Sequence, residues 1–346
     1  MSSDIQMTGW GSVSPAGWSV LDLYDAVRKN EPLPVTTACR FEGAMKRNFR
    51  KVPALSVVPD YMKHARLRRS APATRFAIHA AVEALGPEKF ALAQSGALSL
   101  GVIFCTMSGC VQFSRRFYAE VLENPMLASP ILFPETVYNA PSSHLSALLA
   151  STEINYTLVG DSAQFVRGIE IAHQWMEDDL VQACLVVAAE ELDWVSDEAW
   201  MLFHRQGAAA EGAAAVLLER REGLNIKHFT GTQTYGNRVS RQEAVQRVKA
   251  ELLAHSSSQA ALCDGLGAGR NADCAEAAAW LDWQGGRCSV RPILGEGFGI
   301  TSGWQTVMAC ELLHRGEAPE AIVNAIGLSQ QAVGMVVGTK GLRFKV

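Results

Sequence analysis

The 346-residue sequence contains no apolar run approaching the roughly 20 residues that a bilayer crossing needs. Its longest runs, such as Cys184 to Ala189 and Ala213 to Leu218, are far shorter. The N-terminus passes from Met1 directly into Ile5-Gln-Met-Thr-Gly9, with neither a basic stretch nor an apolar core. No export signal is therefore read, and a cytoplasmic location is expected. The eight cysteines are scattered, with no Cys-x-x-Cys pair and no histidine at metal-ligand spacing. That pattern excludes a recognisable zinc motif and predicts reduced, mostly buried thiols. No low-complexity tract or long linker divides the chain, and a net charge of −4 gives no reason to expect nucleic acid as a partner.

What is present is an alternation of strand-like and helix-like segments, the pattern of an α/β fold. Ile5 to Val13 reads as a strand, Val20 to Lys29 as a short helix, Ala73 to Leu85 as a strong helix and Ser99 to Cys105 as a buried strand. Helices are predicted over Gln112 to Leu122 and Ser142 to Ser151. In the centre, Tyr156 to Val159 predicts a strand, Gly160-Asp-Ser162 a tight turn, Ala163 to Met176 a helix and Ala183 to Ala188 another strand, together a βαβ unit. The pattern then restarts: Leu224 to Gly236 as a strand, Gln242 to Ala254 and Gly303 to His314 as helices, and Ile322 to Phe344 as a closing hairpin. Two halves of related order suggest an internal duplication, divided as residues 1–221 and 222–346.

One local charge imbalance stands out. Lys46, Arg47, Arg50, Lys51, Lys63, Arg66, Arg68 and Arg69 crowd into the early chain of an otherwise acidic protein. The patch is either a solvated face or a dock for an acidic partner.

Several segments together carry a resemblance. They are Thr8-Gly-Trp-Gly-Ser-Val-Ser-Pro-Ala-Gly17, Leu67 to Arg75, Asn155-Tyr-Thr-Leu-Val-Gly-Asp-Ser162 running on to Glu190 and Glu191, and Ala210 to Leu218. In the second half they continue as Asp264-Gly-Leu-Gly267, Gly295-Glu-Gly-Phe-Gly299 and Asn324-Ala-Ile-Gly-Leu-Ser329. Over nearly the whole chain this resembles the β-ketoacyl-(acyl carrier protein) synthase, or ketosynthase, family of the thiolase superfamily. The resemblance implies a duplicated five-layer αβαβα fold that dimerises along an edge strand. Phe133-Pro-Glu-Thr-Val-Tyr-Asn139 and Tyr156 to Val159 would then lie near the interface.

The departures concern the chemistry. Condensation in this family needs a cysteine thiolate to carry the acyl group and two imidazoles to stabilise the enolate and oxyanion. The matching positions here are Ser162, Asp264 and Glu296, or Gly297 if a short gap is placed differently, and all eight histidines fall outside these motifs. Ionised carboxylates would repel both a malonyl carboxylate and a developing enolate. Asp161, beside the helix start, is placed to cap free amides there. The gate loop also departs, with Leu328-Ser-Gln-Gln331 where the family has Phe-Gly-Gly-Thr, and a loop that is longer in the family is short between Leu202 and Glu211.

Three functions follow as expectations. The first is a non-condensing subunit, similar to the chain-length factors that pair with an active ketosynthase in type II fatty-acid or polyketide, including aryl-polyene, biosynthesis. The second is an acyltransferase or thioester hydrolase with Ser162 as nucleophile and Asp264 or Glu296 as base, set against Ser162 being simply a small residue in a tight turn. The third is a scaffold that docks acyl carrier protein through Lys63, Arg66, Arg68 and Arg69. A homodimer or a heterodimer with a ketosynthase fits the resemblance. No cofactor is expected: Gly265, Gly267 and Gly269 do not meet the phosphate-loop spacing. Asp264, Asp273, Glu276 and Glu296 are read as capping or solvated groups rather than metal ligands. Trp194, Trp200, Trp280, Trp283 and Trp304 are read as core and interface packing.

Overall fold

A computed structural model of the chain describes residues 4–40, 42, 45–202, 207–267 and 270–339, the side chains of 270–272 excepted. Gly269, His204 and the last residues of the expected closing hairpin lie outside them. Apolar strands organise the first half. Strand β1 (Gln6–Val13) is followed by helix α1 (Val20–Lys29), the short strands β2 (Thr36–Ala38) and β3 (Arg47–Arg50), and helix α2 (Pro72–Gln94). Next come β4 (Leu100–Thr106), α3 (Val111–Glu123), α4 (Ala140–Leu148), β5 (Asn155–Val159), α5 (Ala163–Glu177), β6 (Ala183–Glu190), α6 (Trp194–Met201), β7 (Ala209–Ala210) and β8 (Gly212–Glu219). The second half holds β9 (Leu224–Phe229), β10 (Gln233–Thr234), α7 (Arg238–Ala254), β11 (Ala261–Asp264) and α8 (Arg270–Ala279). It closes with β12 (Arg287–Ser289), α9 (Arg291–Leu294), α10 (Thr301–His314), β13 (Glu320–Ile326) and β14 (Gln331–Thr339).

The duplication is visible in the pairing. The first half runs in the order β1-β8-β6-β4-β5 and the second in the order β9-β14-β13-β11-β12, the same permutation of first, fifth, fourth, second and third strand. The directions repeat as well: antiparallel, antiparallel, parallel, parallel. A short β1–β9 pairing joins the two sheets edge to edge. Strands β2, β3 and β7 form a separate small sheet.

Burial on both faces explains the continuous apolar strands. Alternate residues of β4 pack in opposite directions: Val102 and Phe104 meet α2 and α4, while Ile103 and Cys105 meet α5 and α10. Beneath the second sheet, Leu262, Ile322 and Val336 pack on α7 and α8. The layers are thus α2/α4, first sheet, α5/α10, second sheet and α7/α8, the five-layer α/β arrangement the resemblance implied. Helix α10 lies between the sheets and is buried from Thr301 to Leu313, which is why its sequence shows no polar face. Close packing of α2 on β1 requires Gly9 and Gly11, where a Cβ would collide with the carbonyls of Ala84 and Ala80.

Two expected elements differ in extent. The helix expected to stop at Leu85 continues to Gln94 through a break at Gly86 (φ 67°), beside Pro87, which lacks an amide hydrogen. The strand expected over Leu224 to Gly236 is interrupted at Gly231, whose amide turns out to the carboxylate of Glu251. Helices α6 and α8 were not anticipated. Among the described residues, no helix is long and apolar enough to cross a membrane.

Candidate functional site

Ser162 sits at the start of α5, at the turn leaving β5, and is 1% exposed. Its hydroxyl has no hydrogen-bond partner. Its carbonyl accepts from the Ser302 hydroxyl of α10, so the turn is fixed through its backbone. Asp161 caps the helix instead: Oδ1 accepts from the Ala163 amide at 3.3 Å, while Oδ2 accepts from the Ser329 amide at 3.0 Å. The histidines of the described residues are engaged elsewhere, for example His79 with Tyr61, His144 with Glu135 and His228 with Glu251. A serine without a base lacks the means to lose its proton.

The two acids that the resemblance sets at its imidazole positions, Asp264 and Glu296, are buried, and each lies beside an arginine. At the end of β11, Asp264 is fully buried; Oδ1 accepts from Ser289 Oγ at 2.6 Å and from the Leu266 amide at 3.1 Å. Its Oδ2 lies 2.9 Å from Arg287 Nε. After α9, Glu296 Oε1 accepts from the Phe298 amide at 2.8 Å and from Thr301 Oγ1 at 3.0 Å, and Oε2 lies 2.9 Å from Arg291 Nε. Both 2.9 Å contacts are ion pairs rather than aligned hydrogen bonds. Burial pushes the Asp264 and Glu296 carboxyls up, opposed by the neighbouring guanidiniums and hydrogen bonds. Glu296, one of the two residues that the resemblance offers for the second position, faces Arg291.

A third acid closes this network. Glu276 Oε1 accepts from the Gly265 amide at 3.0 Å and from Asn324 Nδ2 at 2.5 Å, and Arg291 reaches the Gly265 carbonyl. Burial, reinforced by the charge on Asp264, pushes Glu276 up to about 7. The described amides of the glycine turn are taken, Gly265 by Glu276, Leu266 by Asp264 and Gly267 by Asp273 at 2.9 Å. Among the described residues, no cluster of three or more metal-ligating side chains is present. The acids expected as capping or solvated groups are instead buried in ion pairs and hydrogen bonds, Asp273 excepted.

A cleft of about 1390 Å³ opens between α3, α6, the start of α7 and the loop from Leu328 to Gln330. Ser162, Asp264 and Glu296 do not line it. Its floor is apolar, with Phe298, Trp200, Met107 and Leu328 packed together. Of the tryptophans read from sequence as core and interface packing, Trp280 and Trp304 are fully buried and Trp200 is buried in a small apolar cluster, while Trp200 and Trp194 also line this cleft. Sequence reasoning also missed Arg287 and Arg291. A usable signal existed: a carboxylate replacing a buried neutral ring needs a nearby cation, and both arginines flank the Gly295 turn.

Comparison with known proteins gives the fold a name. A ketosynthase from Burkholderia phymatum STM815, described as a β-ketoacyl synthase, matches with a TM-score of 0.82 and 15% identity over 98% of this chain and 100% of the other. The ishigamide ketosynthase/chain length factor matches with a TM-score of 0.76 and 17% identity over 98% and 100%. A ketosynthase (ApeO) in complex with its chain length factor (ApeC) from Xenorhabdus doucetiae matches with a TM-score of 0.79 and 15% identity over 98% of both chains. The chain has the thiolase fold of the ketosynthases. No protein-family model and no curated protein matches it.

On this ketosynthase fold the remaining sequence candidates fall as follows. Leu328, which the resemblance sets in a gate loop, packs against the cleft floor, and the neighbouring Ser329 amide is held by Asp161. Lys63, Arg66, Arg68 and Arg69 are exposed on two short helical turns before α2, with Lys63 paired to Asp60 at 2.6 Å. Arg47 and Arg50 leave the basic patch: Arg47 pairs with buried Asp197 at 3.1 Å and Arg50 donates to the Leu33 carbonyl at 2.9 Å. Strand β5 is the free edge of the first sheet, with Tyr156 and Val159 each about half exposed.

Proposed function

We propose that this chain is a non-condensing, chain-length-factor-like subunit that pairs with an active ketosynthase in type II fatty-acid or polyketide assembly. The observation that carries the reading is the fate of the two imidazole positions. Decarboxylative condensation needs neutral donors there, and both are occupied by carboxylates committed to Arg287 and Arg291. Buried Ser162, with no hydrogen-bonded base among the described residues and outside the cleft, offers no acyl carrier. In this reading the residues at the catalytic positions Ser162, Asp264 and Glu296 are structural, and residues 1–221 and 222–346 act as the two halves of one scaffold.

Support for pairing comes from the β5 edge. Tyr156 and Val159, with Ile131, Phe133 and Tyr138 nearby in sequence, expose large apolar side chains where an unpaired strand offers free backbone groups. A partner strand added there would satisfy both. The exposed cations Lys63, Arg66, Arg68 and Arg69 suit an acidic carrier protein, and one structural neighbour is an acyl-carrier protein in complex with its ketosynthase.

The test is mass photometry of the chain alone and mixed with catalytically complete ketosynthases from the same source. A 1:1 heterodimer that dissociates when Tyr156→Glu and Val159→Glu are combined is expected. A chain that ignores every ketosynthase offered would overturn the pairing.

A further inference from the structure

The cleft combines a long apolar wall with arginines, and those at the start of α7 have no carboxylate partner among the described residues. Val111, Tyr118, Leu122, Trp194, Trp200 and Phe298 contribute apolar or aromatic surface. The volume of about 1390 Å³ exceeds the roughly 300–1,000 Å³ of ordinary small-molecule sites. Two of its four arginines are already spoken for. Arg115 pairs with Asp193 at 2.9 Å, and Arg40 lies 3.3 Å over the Trp194 ring and 3.8 Å from Glu198. Arg238 and Arg241, one turn apart at the start of α7, have no carboxylate within ion-pair distance among the described residues. Arg241 donates through one amino group to the Gly327 carbonyl at 3.2 Å and lies 5.2 Å over the Tyr235 ring, while its buried Nε has no partner.

We propose that this cleft is a non-covalent site for a free carboxylic acid with a long apolar tail. The carboxylate lies between Arg238 and Arg241, where planar guanidinium donors match its two oxygens. The tail runs over Trp200 and Phe298 toward α3, replacing water against an apolar wall. Because Ser162 does not line the cleft, the ligand is held without a covalent bond. A single carboxylate suffices, since Arg241 has already committed part of its donor set to Gly327. This inference goes beyond the pairing reading and is read out on the chain alone, so either can fail without the other.

The experiment is a fluorescence titration of the purified chain with cis-parinaric acid, followed by displacement with palmitic acid and with its methyl ester. The proposal predicts saturable uptake of one probe per chain and displacement at least tenfold weaker by the ester. Replacing both Arg238→Gln and Arg241→Gln is expected to weaken uptake at least tenfold. Ala199→Trp, at an exposed position on the cleft wall, is expected to abolish it with the melting temperature unchanged. No saturable uptake, equal displacement by acid and ester, or undiminished uptake by Ala199→Trp would overturn the site. So would stronger displacement by a pantetheine thioester lacking a carboxylate.

Discussion

Arg291 Nε lies 2.9 Å from Glu296 Oε2, with both side chains only 2% exposed. The pair is buried beneath the turn at Gly295, and under the proposed function its role is structural.

Removing one partner leaves the other charge buried and alone, which costs about 3–5 kcal/mol, whereas replacing both with apolar residues of similar volume is often close to neutral. Arg291→Met is therefore expected to lower unfolding stability in urea by about that amount. Arg291→Met combined with Glu296→Met is expected to recover most of it. Additive losses in the double variant would show that the two side chains do not act as a pair.

Acid-base behaviour is written into the buried glutamates at the end of β6. Burial pushes Glu190 and Glu191 up to about 7 despite the amides that each accepts. Their folded values lie above the unfolded ones, so the stability they contribute is complete below the unfolded value and fades as pH rises through about 7. Thermal melts are expected to peak on the acid side and decline from pH 5.5 to 8. The fully buried Glu190 accounts for on the order of 2 kcal/mol of that decline. Glu190→Gln removes that titration, and a decline of equal steepness in this variant would count against the assignment.

The gate loop depends on a close approach. A Cβ at Gly327 would collide with the Asp161 carboxylate, which holds the Ser329 amide. Gly327→Ala is expected to displace Leu328 and cost about 1–3 kcal/mol, the usual range for overpacking. Limited proteolysis should then cut at Leu328 to Gln330, and an unchanged digestion pattern would contradict the coupling.

How far the sequence could be read follows from burial. The helix predicted over Val20 to Lys29 has those same bounds, because Ser19 caps it and Asn30 ends it in the left-handed region. The βαβ unit from Asn155 to Glu190 was legible because β6 is apolar from Ala183 to Ala189 and α5 keeps a helical spacing of buried residues. The pairing of Asp264 with Arg287 was not legible, since it joins the parallel neighbours β11 and β12 across a register that only the fold supplies. The lining role of Trp194 was equally hidden, because α6 was not anticipated and a tryptophan on a cleft wall has the same local pattern as one in a core.

The central claim is that Ser162 carries no acyl group. Intact mass spectrometry of the chain incubated with a panel of acyl-carrier-protein thioesters, beside Ser162→Ala, tests it most directly. The account predicts unmodified protein and intact thioester in both; an acyl adduct on the unsubstituted chain that disappears in Ser162→Ala would contradict it and make the serine a nucleophile.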